Sequence, residues 1–231
     1  MIPNEPKPTS LSHLVGQRGV IDQVQIAIDA AFQDSKRLDH CLLAGPPGLG
    51  KSALAHVIAQ EMSVECHELL GQTITTTADL NALLLSAKDR SIVHIDEAHQ
   101  LGKHYQTALY LALDQKKILL SGSKAIQRIP VADFTLLLST TDEYCLLQPL
   151  RDRMKLLLRY DYYSLDELHQ IVRRYAKTIG WELEEGVISE IVVRSRGTPR
   201  LLHRLRGNRR SSIQELDCRL ASPFDMRGVR R

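Results

Sequence analysis

The stretch His40-Cys41-Leu42-Leu43-Ala44-Gly45-Pro46-Pro47-Gly48-Leu49-Gly50-Lys51-Ser52 decides how this chain folds. Its first five residues form a short apolar strand that runs straight into glycine. The last eight spell G-x-x-x-x-G-K-S. From Lys51 to Met62 the pattern is helical, with Leu54, Ala55, Ile58 and Ala59 on one side. Strand, glycine-rich loop, Lys-Ser and helix in that order make a phosphate-binding loop. Its backbone N–H groups can point into one concavity, and the helix N-terminus adds partial positive charge. Lys51 is placed to reach the β- and γ-phosphates of ATP, and the Ser52 hydroxyl to coordinate Mg²⁺.

Outward from this loop, helices and short apolar strands alternate. Helices are expected over 15–31, 78–87 and 104–113. Buried strands are expected at 91–95 (SIVHI), 135–139 (TLLLS) and 155–160. Such alternation argues for a parallel sheet flanked by helices on both faces. Residues 117–131 break it with two β-rich halves around Ser121-Gly122-Ser123, a hairpin signature. After Tyr163 the composition changes. Ser164-Leu165-Asp166-Glu167 is a capping box that opens a helix running to Ile179, where Gly180 ends it. A second helix follows over 186–194, and Pro199 opens a third at its first position. The expected organisation is therefore an α/β nucleotide-binding domain over 1–163, a small all-helical domain over 164–206 and a basic tail over 207–231.

Four further motifs carry chemistry. Ile92-Val93-His94-Ile95-Asp96-Glu97 delivers two carboxylates at the C-terminal end of a strand, where open parallel sheets bind ligands. Asp96 can hold Mg²⁺ through water, and Glu97 can orient the attacking water. Ser139-Thr140-Thr141 would set a hydroxyl near those carboxylates. Pro149-Leu150-Arg151-Asp152-Arg153 offers two planar, permanently charged guanidinium groups suited to phosphate. Gly197-Thr198-Pro199-Arg200 opens a helix from which Arg200 could reach the nucleotide. Asp96-Glu97-Ala98-His99 also spells DEAH, but a DEAH-box helicase pairs two ATPase-like domains, for which 231 residues leave no room.

Together these motifs resemble the AAA+ ATPases and, in their wording, the RuvB family of Holliday-junction motors. The matching stretches are Leu14-Val15-Gly16-Gln17-Arg18, Leu38-Asp39-His40 leading into LLAGPPGLGKS, Leu54-Ala55-His56, IDEAH, Phe134-Thr135-Leu136, Pro149 to Arg153, and Arg194-Ser195-Arg196-Gly197-Thr198-Pro199-Arg200. The resemblance implies an AAA+ P-loop fold followed by a helical lid. It implies that Gly45, Gly48, Leu49, Gly50, Lys51, Ser52 and Ala53 line the nucleotide site, with Asp96 and Glu97 opposite. Thr141 then matches the first sensor, Arg153 a finger acting on the neighbouring subunit, Tyr163 an aromatic beside the nucleotide, and Arg200 the second sensor. The implied partners are four-way DNA junctions, a RuvA-like protein and further copies of the chain in a ring. Another AAA+ loader or remodeller, or a degenerate nucleotide-binding fragment, are the rival readings.

The departures are specific. Lys7-Pro8 stands where the family has Arg-Pro, and Asp142 where it has Arg. The hairpin reads about three residues shorter than the family's and lacks its Gly-x-Gly-Pro centre, which weighs against docking on RuvA. After Leu205 the apolar helical period is lost, as in a chain truncated or frame-shifted before the family's winged-helix DNA-binding domain.

Composition agrees with a globular, cytoplasmic protein. Apolar residues are 43% and charged residues 25%, and no apolar run approaches the roughly 18 residues that span a bilayer. The four cysteines (Cys41, Cys66, Cys145 and Cys218) form no C-x-x-C pair and are expected as buried thiols. The net charge of +3 is uneven: from Arg194 onward eleven Arg and no Lys face Glu215, Asp217 and Asp225, giving +8 against −5 for the rest. Such a segment neutralises phosphates without reading sequence. DNA binding is therefore expected to be weak and to fall steeply between about 50 and 200 mM salt. Four-way junctions should gain little over duplex, and removing everything after Leu205 should abolish most of it. A salt titration on junction and duplex DNA checks this; tight junction-selective binding at high salt would contradict it.

Overall fold

The computed structural model describes residues 8–121, 126–178, 180–200 and 229–230. The chain runs α1 (Arg18–Gln33), β1 (Cys41–Ala44), α2 (Lys51–Glu61), β2 (Cys66–Leu70), α3 (Thr77–Ser86), β3 (Ile92–Asp96) and α4 (Lys103–Gln115). It continues through β4 (Lys117–Ser121), β5 (Ile126–Pro130), β6 (Thr135–Thr140), α5 (Gln148–Arg151) and β7 (Leu156–Arg159). The helical part holds α6 (Leu165–Thr178), β8 (Glu182–Leu183) and α7 (Glu185–Arg194). Val229–Arg230 forms β9, which pairs antiparallel with β8.

Five strands form one sheet in the order β2-β3-β6-β1-β7, every pair parallel. Successive side chains along a strand point to opposite faces, and here both faces are buried. Leu136 and Leu138 of β6, with Val93 and Ile95 of β3, pack against Leu80, Leu84 and Leu109 from α3 and α4. Leu137, with Ile92, Cys41 and Leu43, packs against Val24, Ile28, Leu54 and Ile58 from α1 and α2. This two-sided burial explains why these strands read as unbroken apolar runs. A third, smaller core joins Leu168 and Val172 of α6 to Ile188, Ile191 and Val192 of α7.

Element boundaries follow local chemistry. The first helix starts three residues later than its apolar pattern, because Gly16 and Gln17 take left-handed backbone (φ +71° and +52°) before Arg18. A capping box between Thr76 and Asp79 fixes the start of α3. The strand β2, Cys-His-Glu-Leu-Leu, is the one sheet member that the apolar pattern does not predict. It lies at the sheet edge with only partly buried side chains, so its sequence lacks the apolar run that marks the others.

The hairpin is present as β4 and β5, with Ser121 paired to Ile126; its predicted centre, Gly122-Ser123, lies outside the described residues. So do Lys7, Ile179, Cys218 and all of 201–228, which include most of the expected third lid helix, Leu205 and nearly all of the basic tail. The thiol expectation needs correcting. Cys41 is buried, but Cys66 is half-buried and Cys145 exposed, because Cys145 sits in the turn between β6 and α5 rather than in the sheet. Among the described residues, no helix is long and apolar enough to cross a membrane.

Leu137 sits at the centre of the middle strand, paired with Cys41 on one side and His94 on the other, and is fully buried. Leu137→Ala is expected to cost about 2–5 kcal/mol of unfolding free energy. Tyr144→Ala, at an 80% exposed position, should stay within about 0.5 kcal/mol. Denaturant melts of both variants check the contrast.

Candidate nucleotide-binding site

All five strands of a parallel sheet end on the same edge, and the predicted site residues collect there. β1 ends at Ala44 and enters the glycine-rich loop, which delivers Lys51 as the first residue of α2. The loop needs glycine at specific points. Gly48 has φ +81°, and a Cβ there would lie 2.8 Å from Cβ of Arg200. At Gly45 (φ +150°) a Cβ would lie 2.8 Å from the Tyr160 carbonyl oxygen.

Lys51 is only 7% exposed. Its ammonium donates to the carbonyls of Gly45 (2.7 Å) and Pro46 (2.8 Å) and makes no salt bridge among the described residues. Burial pulls its pKa down, while Asp96 and Glu97 pull it up. A buried cation whose partners are the loop's own carbonyls, in a loop with no room for a Cβ at Gly45 or Gly48, fits an anionic phosphate. Ser52 Oγ donates to Asp96 Oδ2 at 2.6 Å, and Asp96 Oδ1 accepts the backbone N–H of Glu97. A hydroxyl and a carboxylate in contact form the hard oxygen set that suits Mg²⁺.

Glu97 has left-handed backbone (φ +52°) just after the end of β3. Its Oε2 lies 3.3 Å from His99 Nε2, and His99 Nδ1 lies 3.4 Å from Thr140 Oγ1. The three hydroxyls ending β6 therefore have different settings. Ser139 is fully buried against His94, Thr140 is buried beside His99, and Thr141 is exposed. Thr140 is thus linked to Glu97 through His99.

The helical part closes over the loop. The Arg200 side chain covers Gly48. Tyr163 donates its hydroxyl to the Leu49 carbonyl at 3.0 Å and its backbone N–H to Gly197 at 3.0 Å. Burial, and after it the Glu167 charge, push the Tyr163 phenol up to about 12. Gln17 ties the linker down: its Nε2 donates to the Asp161 carbonyl, and its Oε1 accepts the Asp161 N–H. Beside this linker an open cleft of about 450 Å³ is lined by Gln17, Arg18, Gln23, Arg159, Asp161 and Tyr162, among others. None of the predicted site residues lines it.

Arg153 stands apart from the loop. Its guanidinium grips Asp114 at the end of α4, Nε to Oδ1 at 2.8 Å and Nη2 to Oδ2 at 2.5 Å. Arg151 instead meets neutral groups, the Gln148 amide oxygen and the Tyr144 ring, and its buried Nε has no partner among the described residues.

Sequence reasoning missed one further group. His94, fully buried on β3, places Nε2 2.8 Å from Ser139 Oγ and Nδ1 3.1 Å from Glu68 Oε1. His56 Nε2 of α2 lies 3.1 Å from the other Glu68 oxygen. Donor atoms of Glu68, His94 and Asp96 lie within 4.8 Å of one another, close enough to approach one ion. A polar residue inside the otherwise apolar run SIVHI was the available signal.

The comparisons with known proteins agree with this geometry. The family model of the Holliday junction DNA helicase RuvB P-loop domain matches residues 6–160, and that of the RuvB AAA lid domain matches 163–211. The chain belongs to the RuvB family. It is 39% identical over 204 residues to the Holliday junction branch migration complex subunit RuvB of Dehalococcoides mccartyi, covering 86% of this chain and 58% of that protein. The corresponding subunit of Kosmotoga olearia is 38% identical over 203 residues, covering 86% and 59%. The solved Thermotoga maritima RuvB Holliday junction branch migration motor matches with TM-score 0.77 at 35% identity, covering 91% of this chain and 67% of that one. A mutant of the same motor matches with TM-score 0.80 at 36% identity. The chain thus spans a little under three-fifths of the length of these curated relatives.

Gly48→Ala must force a left-handed β-carbon into Arg200, and left-handed backbone alone costs roughly 1–2 kcal/mol for a non-glycine residue. Nucleotide affinity, measured with a fluorescent ATP analogue, is expected to fall about tenfold or more. Gly186→Ala, in α7 with nothing within 4 Å of the new carbon, should leave it unchanged.

Proposed function

We propose that this chain is the ATP-hydrolysing portion of a RuvB-type motor, working in the cytoplasm on Holliday junctions in DNA recombination and repair. The observation that carries the reading is the single edge where the glycine-rich loop, the Ser52–Asp96 pair and Arg200 meet. A P-loop NTPase needs the loop and the pair to bind a metal–triphosphate. An arginine from the second domain over the loop adds a means of coupling the nucleotide to domain movement.

The roles follow from position. Backbone N–H groups from Gly48 to Ala53 and the Lys51 ammonium cradle the phosphates beside Gly45, exchanging the carbonyl partners of Lys51 for phosphate oxygens. Ser52 and Asp96 hold Mg²⁺, which neutralises phosphate charge when bound. Glu97 orients the attacking water and accepts its proton, with His99 holding one carboxylate oxygen. The β6 end, through Thr141 and the buried Thr140, and Arg200 from the lid sense the γ-phosphate. Tyr163 flanks the nucleotide. Arg153, turned away from its own loop, serves the neighbouring subunit of a homo-oligomeric ring. Hairpin 117–131 is the surface for a RuvA-like partner, weakened by its departures from the family.

Two substitutions separate binding from chemistry. Lys51→Ala should abolish turnover and sharply weaken nucleotide binding, because the loop loses its only side-chain cation. Glu97→Gln should keep binding while hydrolysis falls on the order of 10²-fold, the scale of general-base loss. Steady-state ATPase with and without four-way-junction DNA and RuvA, beside a nucleotide titration, reads both. Near-normal turnover by Lys51→Ala would remove the P-loop assignment. Turnover indifferent to junction and RuvA would favour another AAA+ task.

A further inference from the structure

We propose that Asp114 is the positioning residue for Arg153, holding that guanidinium by one edge so that its remaining N–H groups can meet a phosphate on the adjoining subunit. The proposal rests on the reading of Arg153 as a finger acting in trans. Its basis is the geometry around the side chain. Tyr110 and Asp114 are one helical turn apart on α4 and so share a face. The Arg153 guanidinium lies over the Tyr110 ring, 5.9 Å from its centroid, and meets Asp114 through Nε and Nη2. Nη1 reaches back to the Pro149 carbonyl at 3.3 Å.

A guanidinium has five N–H groups in a fixed plane. Asp114 takes two and Pro149 a third, which leaves two. A carboxylate on one edge therefore fixes the plane without exhausting the donors. The bidentate fit also sets direction, as a single contact would not. Asp114 holds Arg153 more firmly protonated and is itself held ionised by it.

The pair does not lock the finger away. Both side chains are about one-third exposed, and ion pairs this open to water are weak. A phosphate of higher charge can share or take over the guanidinium. What Asp114 adds is orientation, sparing a long, flexible side chain part of its search. Arg151, two residues earlier, has only neutral partners among the described residues, so the carboxylate singles out Arg153.

The test uses the full chain. Asp114→Ala is expected to lower ATP turnover of the homo-oligomer about tenfold with nucleotide affinity unchanged, and Asp114→Glu to recover part of it. The defect should lie in the neighbour's site. Mixing Asp114→Ala with Lys51→Ala protein should then raise turnover above either alone, as mixing Arg153→Ala with Lys51→Ala should. In NMR spectra the Arg153 Nε–H signal should be sharp and slow to exchange in the parent chain and lost in Asp114→Ala.

Rescue of Arg153→Ala but not of Asp114→Ala, normal turnover by Asp114→Ala, or an unaltered Nε–H signal would each overturn the role of Asp114. Absence of rescue for Arg153→Ala in a demonstrably mixed oligomer would instead overturn the finger reading, whatever Asp114 does. Asp114→Asn, which keeps the shape and loses the charge, guards against misfolding of the alanine variant. It should show the same loss of the Nε–H signal, and retention would count against the proposal.

Discussion

A sheet of parallel strands must be covered on both faces, and its strands all finish at the same edge. Most of what this molecule can do follows from that constraint. Burial of alternate side chains under α1 and α2 on one side and α3 and α4 on the other makes the strands rigid. The ends of β1, β3 and β6 are then held side by side in register. Placing the glycine-rich loop after β1 and the acidic pair after β3 brings Ser52 and Asp96 to 2.6 Å although 44 positions separate them. No contact local in sequence could do this.

The apolar runs and the glycine-rich loop were legible in sequence because each signal is local. Four of the five sheet strands and the order of the helices that cover them were accessible that way. The edge strand β2 was not, because a strand half open to solvent needs no apolar run. The setting of the three β6 hydroxyls was not either. Ser139, Thr140 and Thr141 look equivalent in sequence, and only the pleat and the turn after β6 decide which is buried. Partners were the least legible: Arg153 with Asp114 and His94 with Glu68 each join residues whose meeting depends on tertiary geometry.

Among the described residues, the lid's core joins five buried side chains of α6 and α7. Its described contacts with the larger domain include polar ones near the glycine-rich loop. Tyr163 bridges Leu49 and Gly197, Gln17 clamps Asp161, and Arg200 rests on Gly48. These contacts touch the glycine-rich loop, so a change in lid orientation would be felt there.

The contacts that run from His56 and Glu68 at the sheet edge to His94 and Ser139 in the interior have a different consequence, one for how the sequence can vary. Only His94 and Ser139 are fully buried, and they meet each other inside the α2-facing layer of the sheet. Removing either strands a polar group away from water, which typically costs about 1–3 kcal/mol, whereas exchanging both for apolar groups of similar shape can be close to neutral. The fitness of each of the two is therefore conditional on the other. Single changes descend into a valley that joint changes would cross. This layer, rather than the phosphate loop, is where descendants of the chain would be held to their present residues by history instead of by chemistry.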